Sequence, residues 1–492
     1  MLRSIAPGNA FYVSTAVVVF FFYYAIMFFY PDAMLHDPDT FWHIRTGQWI
    51  LDHVQVPTVD FYSYTARGKP WIAFEWLSEI FYAIAYRIGG WRGVVILSAI
   101  GCAAIIGTLC LYLVRNLRFS IAIGWTALTA VAVNQHFLAR PHIFSYFLLV
   151  IWIVVLIDAY DNDDFSLKSW VTLASLMALW ANLHGSFTFG LALLYIFCGS
   201  CIVQNIMRKN YAKCRFLIVG VFVVSLCALI TPYGIAPAML TKGLLNSKSV
   251  FEFISEFRPP NFQTNPVLLF LLIGLLVMIA GLGVQVRGAR LIAFALIAYI
   301  GFSYARGLIV FFLLAPIILA RPVAARASYF RPQLFDAKHP NKGSDPVLRY
   351  LQRRSIAIAA VCMAIAALAT VSSGWRSIAP PKSFAPEEAI DFVKRTHITG
   401  NVFNSYNFGG YLIFSGIPTF IDGRNLAGDD FLRKYAEAVN LIDIDKTFQM
   451  LDDYKISWIL LRPVEPLSKA IARSAAWDRV YSDEYSIVFV RR

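Results

Sequence analysis

Apolar runs close to 20 residues recur along most of this chain, near 11–30, 93–114, 119–137, 143–158, 170–183, 187–206, 215–231, 265–284, 289–303, 307–320 and 355–374. A run of that length crosses about 30 Å of hydrocarbon as a helix. The pattern predicts an α-helical polytopic membrane protein with about eleven crossings. One stretch breaks the rule. Residues 72–91 are apolar but interrupted by Glu75, Glu79 and Arg87 and flanked by Trp71, Trp76 and Trp91. They are expected to form an interfacial helix anchored by tryptophan rather than a span. From Trp375 onward the pattern changes to helix-like stretches (Pro386–His397, Asp429–Leu441) alternating with short strand-like runs at 401–404, 418–421, 457–461, 479–482 and 486–490. The expected division is therefore a transmembrane domain over 1–374, with a long first loop at 31–92, and a small α/β domain over 375–492.

Composition agrees: 58% of the 492 residues are hydrophobic and 15% charged. The net charge of +13 does not point to nucleic acid, because it clusters beside the spans. Arg115 and Arg118, then Arg208, Lys209, Lys213 and Arg215, and a larger group between Arg321 and Arg354 mark one membrane side as cytoplasmic. An odd number of crossings starting inside leaves the C-terminal domain outside, on the periplasmic face of an inner membrane. The first span lacks a small-residue cleavage site and is expected to be a retained anchor. The seven cysteines lie in or beside apolar spans and imply no disulfide framework.

With this topology the unusual polar residues gather on the outer side. His36-Asp37-Pro38-Asp39-Thr40-Phe41-Trp42-His43 follows the first span directly. Carboxylates at a membrane edge are costly to desolvate and need water, a cation or a partner. Pro38 is expected to keep Asp37 and Asp39 on an irregular loop. The same side receives Arg140-Pro141-His142, then His184 in Asn182-Leu183-His184-Gly185-Ser186, then Tyr233 in Thr231-Pro232-Tyr233-Gly234. Glu252, Glu256 and Arg258 in the 251–260 stretch and Arg306 after Tyr304 complete the set. Arginine suits phosphate because its planar fork donates two parallel hydrogen bonds. Carboxylates and arginines converging at one surface fit an anionic, lipid-anchored substrate. Each residue also has a duller role: Arg306 can snorkel, the histidines can be satisfied core groups, Tyr233 can anchor at the interface, and Glu252, Glu256 and Arg258 can be a solvated helix face. No Walker A loop, H-E-x-x-H or dinucleotide fingerprint is present.

The text Asp37-Pro38-Asp39-Thr40-Phe41-Trp42-His43, with Asp60-Phe61-Tyr62-Ser63-Tyr64-Thr65, Trp71 through Glu79, Arg140-Pro141-His142, Trp180-Ala181-Asn182-Leu183-His184-Gly185, Pro232-Tyr233-Gly234, Gly409-Gly410-Tyr411 and Ile421-Asp422-Gly423-Arg424, resembles a bacterial group of membrane proteins placed near the GT-C superfamily of polyprenyl-phosphate-dependent glycosyltransferases. The resemblance covers nearly the whole chain. It implies an inverting transfer from a polyprenyl-phosphate-linked sugar donor to a glycan, lipid or protein acceptor. Carried over, Asp37 is the base and Asp39 the second carboxylate or metal ligand. Arg306 and Arg140 stabilise the leaving phosphate. A divalent ion, Mg2+ or Mn2+, on Asp37 and Asp39 stays open, because the superfamily includes metal-free members. Asp422 and Arg424 read as site residues or as a tight turn. The competing readings are a transporter of lipid-linked sugars, which calls for polar residues through the membrane depth or an inverted repeat, and a non-catalytic assembly protein of an envelope polysaccharide system.

Overall fold

The computed structural model describes residues 7–245, 252, 254–264, 266–330, 346–372 and 378–492. Phe251, Phe253, Trp375 and residues 331–345 of the last basic group lie outside the described residues. The chain is a helical membrane bundle with a small mixed-sheet domain. Its helices are α1 (Pro7–Phe29), α2 (Pro31–Leu35), α3 (Asp39–His53), α4 (Trp76–Asn116), α5 (Phe119–Asn134), α6 (His142–Asp161), α7 (Leu167–Leu183), α8 (Phe187–Met207), α9 (Tyr211–Cys227), α10 (Ala236–Leu245), α11 (Pro266–Leu282), α12 (Ala289–Ser303), α13 (Gly307–Phe330) and α14 (Pro346–Ser372). A helix occupies each predicted apolar run. Six of the described helices are long and apolar enough to cross a membrane, within α1, α4, α6, α8, α13 and α14. The remaining apolar ones, such as Phe119–Asn134 and Ala289–Ser303, are shorter.

The polar-interrupted stretch and the next apolar run are two helical parts of α4 that meet at a break at Gly90, with φ 57° and ψ −146°. Only glycine takes that conformation without strain, so Gly90 divides the glutamate-bearing first part from the apolar second part. One local expectation changes. The acidic pair is not wholly on a loop, because Asp39 is the first residue of α3. Pro38 precedes it in a helical conformation, φ −71° and ψ −23°. At a helix start the missing proline N–H costs nothing, so Pro38 initiates the helix instead of breaking it.

The C-terminal domain adds α15 (Glu387–Arg395), β1 (Asn401–Asn404), α16 (Gly409–Phe414), α17 (Asp429–Val439), α18 (Ile444–Asp453), β2 (Ile456–Leu461), α19 (Pro466–Ile471), β3 (Trp477–Ser482) and β4 (Ile487–Arg491). The sheet order is β1-β2-β4-β3. Strand β1 runs parallel to β2, and β4 is antiparallel to both β2 and β3. Alternation along the strands feeds two cores. Phe403, Ile459, Leu461 and Phe489 pack with Leu432, Tyr435, Leu451 and Leu467. Val402, Trp458, Leu460 and Val488 pack with Ile390, Val393, Phe408 and Leu412. Both faces are covered, which is why β2 is apolar nearly throughout. The run at 418–421 is not a strand. It pairs only through an isolated bridge from Thr419 to Ser63 in the first loop.

That bridge belongs to a seam between domain and loop. Thr419 N–H donates to Tyr62 O at 3.1 Å and Tyr64 N–H to Thr419 O at 3.2 Å. The Tyr64 and Thr65 hydroxyls donate to Val402 O and Phe420 O, each at 2.7 Å. Across the seam reaches Arg424. Its fork bonds both Asp422 oxygens at 2.8 Å, and Nη1 donates to Asp60 at 2.7 Å. The guanidinium lies 4.7 Å from the Trp71 ring centre and 5.1 Å from that of Tyr62. Its side chain is 1% exposed. This clasp brings two glycines onto the acidic motif. A Cβ at Gly410 would sit 2.0 Å from Pro38 O, and one at Gly423 would sit 2.0 Å from Asp39 Oδ1.

Removing one partner from a buried, hydrogen-bonded charge pair costs about 3–5 kcal/mol. Arg424→Ala is expected to destabilise the docked domain by roughly that amount, seen as a lower thermal midpoint in detergent. Arg424→Lys should not restore it, since an ammonium cannot make the planar fork. Gly423→Ala has no room beside Asp39. It should impair whatever Asp39 does while the protein still accumulates in membranes at the wild-type level.

Candidate functional site

Helix ends and turns at one end of the bundle converge on the acidic motif, and backbone bonds fix how they meet. Ala139 N–H donates to Met34 O at 2.8 Å, and the Thr40 hydroxyl donates to Ala139 O at 3.0 Å. The Tyr82 hydroxyl donates to Arg140 O at 3.1 Å. The turn before α6 is thereby stitched to the start of α3, which aims Arg140 at the aspartates. The turn before α13 is held similarly: Arg306 N–H donates to Glu256 O at 3.1 Å and Ala305 N–H to Arg258 O at 2.8 Å.

The resulting cluster alternates in charge. Arg140 Nη1 lies 3.0 Å from Asp37 and 3.1 Å from Glu256, while Nη2 pairs with Asp39. Glu256 then passes its second oxygen to Arg306 at 3.5 Å. Asp37 Oδ1 accepts the Asp39 N–H at 2.7 Å, and Asp39 Oδ1 accepts the Trp42 indole N–H at 3.0 Å. Asp37 and Asp39 are 3% and 8% exposed. Burial raises the Asp37 carboxyl to about 6, against the pull of Arg140. Burial also pushes Glu256 upward, but Arg306 and Arg140 outweigh it and hold the group at about 2.

Behind this cluster lies a second one. His184 Nδ1 accepts from the Ser186 N–H at 3.1 Å and lies 2.9 Å from its hydroxyl, so Nε2 carries the proton toward Glu75 Oε1 at 3.1 Å. His43 stands between the two glutamates, 3.7 Å from Glu75 and 3.2 Å from Glu79. Burial, against the pull of Arg306, moves Glu75 up to about 8. Burial, reinforced by Arg306 and Arg140, moves His184 down to about 3. At neutral pH this wall is therefore largely uncharged and offers hydrogen bonds rather than ions.

The sequence-derived residues fall into three groups. Asp37, Asp39, Arg140, Glu256, Arg306 and, through Glu75, His184 share this site. His142 lies beside it, with Nε2 3.2 Å from His136 O and a buried Nδ1 that has no partner among the described residues. Glu252 and Arg258 stand exposed at its edge, the Arg258 Nε donating to Glu252 O at 2.8 Å. Tyr233 turns away and donates its hydroxyl to Pro57 O at 2.6 Å. Asp422 and Arg424 form the clasp described above. Glu75, Glu79, His43 and Tyr146, which lies near Arg306, were not among the candidates. Glu75 and Glu79 did have a signal: two carboxyls four residues apart interrupting an apolar run.

A divalent ion fits this arrangement poorly. All four oxygens of Asp37 and Asp39 face N–H donors: the Asp39 amide, the Trp42 indole and both ends of the Arg140 fork. Among the described residues no three His, Cys, Asp or Glu side chains are grouped to hold a metal ion.

No family model matches the chain, and no curated protein matches it by sequence. Solved structures do match in fold. One is the archaeal oligosaccharyltransferase AglB from Archaeoglobus fulgidus, in complex with an inhibitory peptide and a dolichol-phosphate. Its TM-score is 0.55 at 11% identity, over 91% of this chain and 69% of that one. The apo form of the Archaeoglobus fulgidus oligosaccharyltransferase gives 0.54 at 12% identity, with the same coverage. Another is ArnT from Cupriavidus metallidurans bound to undecaprenyl phosphate, at 0.52 and 14% identity over 97% of both chains. At such identities the likeness is one of fold, and the fold of this membrane protein is GT-C-like.

Proposed function

We propose that this protein is a GT-C-type glycosyltransferase. It moves a sugar from a polyprenyl-phosphate donor to an envelope glycan, lipid or protein acceptor at the periplasmic face, with inversion. The observation that carries this reading is the run Asp37/Asp39–Arg140–Glu256–Arg306 at the end of an apolar bundle. It places a carboxylate base beside guanidinium groups that can take a phosphate. The lipid-phosphate ligands of the similarly folded structures support the donor class.

In this mechanism the acceptor hydroxyl attacks the anomeric carbon from the face opposite the phosphate. Asp37 takes the hydroxyl proton as the new C–O bond forms. The old bond to the phosphate oxygen breaks, and the phosphate leaves with the electron pair. An ordinary aspartate is a weak base at neutral pH; the raised Asp37 carboxyl is better matched to the task. Asp39, held by Trp42 and Arg140, keeps Arg140 and hence Asp37 in place. Arg306 meets the charge that grows on the phosphate, where a fixed donor is worth most. Glu256, shared by both arginines, is the internal anion that an incoming phosphate replaces. The uncharged Glu75–His184 wall offers hydrogen bonds to sugar hydroxyls. No step runs through a metal.

Losing a general base costs about 10²–10⁴-fold in rate. Asp37→Asn should therefore fail to restore the envelope glycan of a deletion strain while reaching normal membrane levels. Mass spectrometry should show one sugar lost and its lipid-linked donor accumulating. Full restoration by Asp37→Asn would remove the transferase reading. The active base is the ionised carboxylate, so turnover should rise as pH increases through about 6 and stay high above it. Arg306→Ala should lower kcat by about 10²–10³-fold, as expected for loss of one charge-stabilising donor group. Arg306→Lys should recover part of that loss in a radiolabelled-donor assay.

A further inference from the structure

We infer that Arg140 is a built-in cation for the acidic motif, standing where a divalent ion would sit in a metal-dependent site, so that this chain works without one. The inference deepens the transferase reading and uses its site, but its geometry is independent of which sugar moves.

Three carboxylates point at a single guanidinium. Arg140 Nη1 lies 3.0 Å from Asp37 and 3.1 Å from Glu256, and Nη2 contacts Asp39. An ion bridging these carboxylates would have to occupy the volume of that fork. The oxygens not facing Arg140 are also committed, Asp37 Oδ1 to the Asp39 amide at 2.7 Å and Asp39 Oδ1 to the Trp42 indole at 3.0 Å. A hard divalent cation needs several oxygen lone pairs at short range and keeps waters for the rest. Here the aspartate oxygens already accept N–H donors, and Asp37 and Asp39 are buried while Arg140 is half-buried.

The backbone makes this placement a property of the fold. Arg140 lies on the turn stitched to α2 and α3 through Met34 O and Thr40. Its own carbonyl is held by Tyr82 at 3.1 Å. Swinging the side chain away would strand Asp37 and Asp39 without a counter-charge in a buried site, which is strongly unfavourable. A guanidinium also cannot lose its proton at working pH, so the charge is permanent. It does part of what a bound divalent ion would do for the two carboxylates: its single charge offsets theirs in part, and its fork sets their separation. It supplies no open coordination position.

The test measures metal binding directly. Full-length protein in nanodiscs, wild type and Arg140→Gln, is titrated with Mn2+ and followed by loss of the free-ion EPR signal. Wild type should leave the Mn2+ signal undiminished, and its turnover should be insensitive to EDTA. Arg140→Gln exposes the carboxylate pair and should gain a site binding roughly tenfold tighter or more, as expected when a counter-cation leaves clustered carboxylates. Asp37→Asn in that background should abolish the gain. Arg140→Met, which keeps much of the bulk without charge, serves if the Gln variant fails to accumulate. Tight Mn2+ binding by wild type that Asp37→Asn removes would overturn the inference. So would folded Arg140 variants that gain no Mn2+. Failure of the transferase reading appears elsewhere, as glycan restoration by Asp37→Asn, and leaves these titrations interpretable.

Discussion

Everything at the functional end of this molecule depends on keeping two carboxylates ionisable beside hydrocarbon. An aspartate taken out of water loses several kcal/mol of hydration, and two of them repel each other as well. Arg140 resolves both problems with one rigid group. The turn before α6 must then stay against α3, which is what the Met34, Thr40 and Tyr82 hydrogen bonds secure. Ion pairs of this kind are poor sources of stability, since apolar side chains of similar volume usually do as well or better. Cohesion alone therefore does not account for the interlocked set of Asp37, Asp39, Arg140, Glu256 and Arg306 at the helix-bundle end.

The C-terminal domain enters through the same constraint. Asp39 can keep its position only if its surroundings are filled without a bulky neighbour, and Gly423 provides a surface that no other residue could. Gly410 does likewise beside Pro38. Both glycines are delivered by the Asp60–Arg424–Asp422 clasp and by Phe41 packing on Tyr411 and Phe414 at 5.2 and 5.7 Å. Domain docking and the geometry around Asp39 are thus one equilibrium. A change that loosens the seam acts on Asp39 without touching it.

Much of this was legible in the sequence, for identifiable reasons. Hydrophobic runs marked the helices because length and polarity are local properties. Polar interruptions marked the functional end because charge is expensive there. Partner choice was not local. Nothing in Asp422-Gly423-Arg424 says that its arginine turns toward Asp60, more than 360 residues earlier, and stacks over Trp71 and Tyr62. Glu75 and His43 looked like an interfacial helix and a motif edge, because their contact with each other, and that of Glu75 with His184, requires α3, the start of α4 and the α7–α8 turn to meet. Pro38 misled in a different way. The rule that proline breaks helices holds in their interiors and reverses at their first turn.

The two ends of the bundle differ in a way that bears on the proposed transferase reading. A carrier of lipid-linked sugars needs polar surface that can open toward either side. Here the opposite end is closed by its own pairs: Arg321 reaches Asp158, Asp161 and Asn116, and Arg290 binds Asp161 and Ile318 O. Trp152, Leu313, Ile317 and Phe197 fill the bundle interior and are fully buried. At the acidic end, by contrast, the buried Nδ1 of His142 and Oε2 of Glu79 have no partner among the described residues, and Arg306 meets Glu256 at 3.5 Å. In the proposed transferase the substrate is met by groups at one end of the bundle, whereas alternating access requires polar surface open toward both sides.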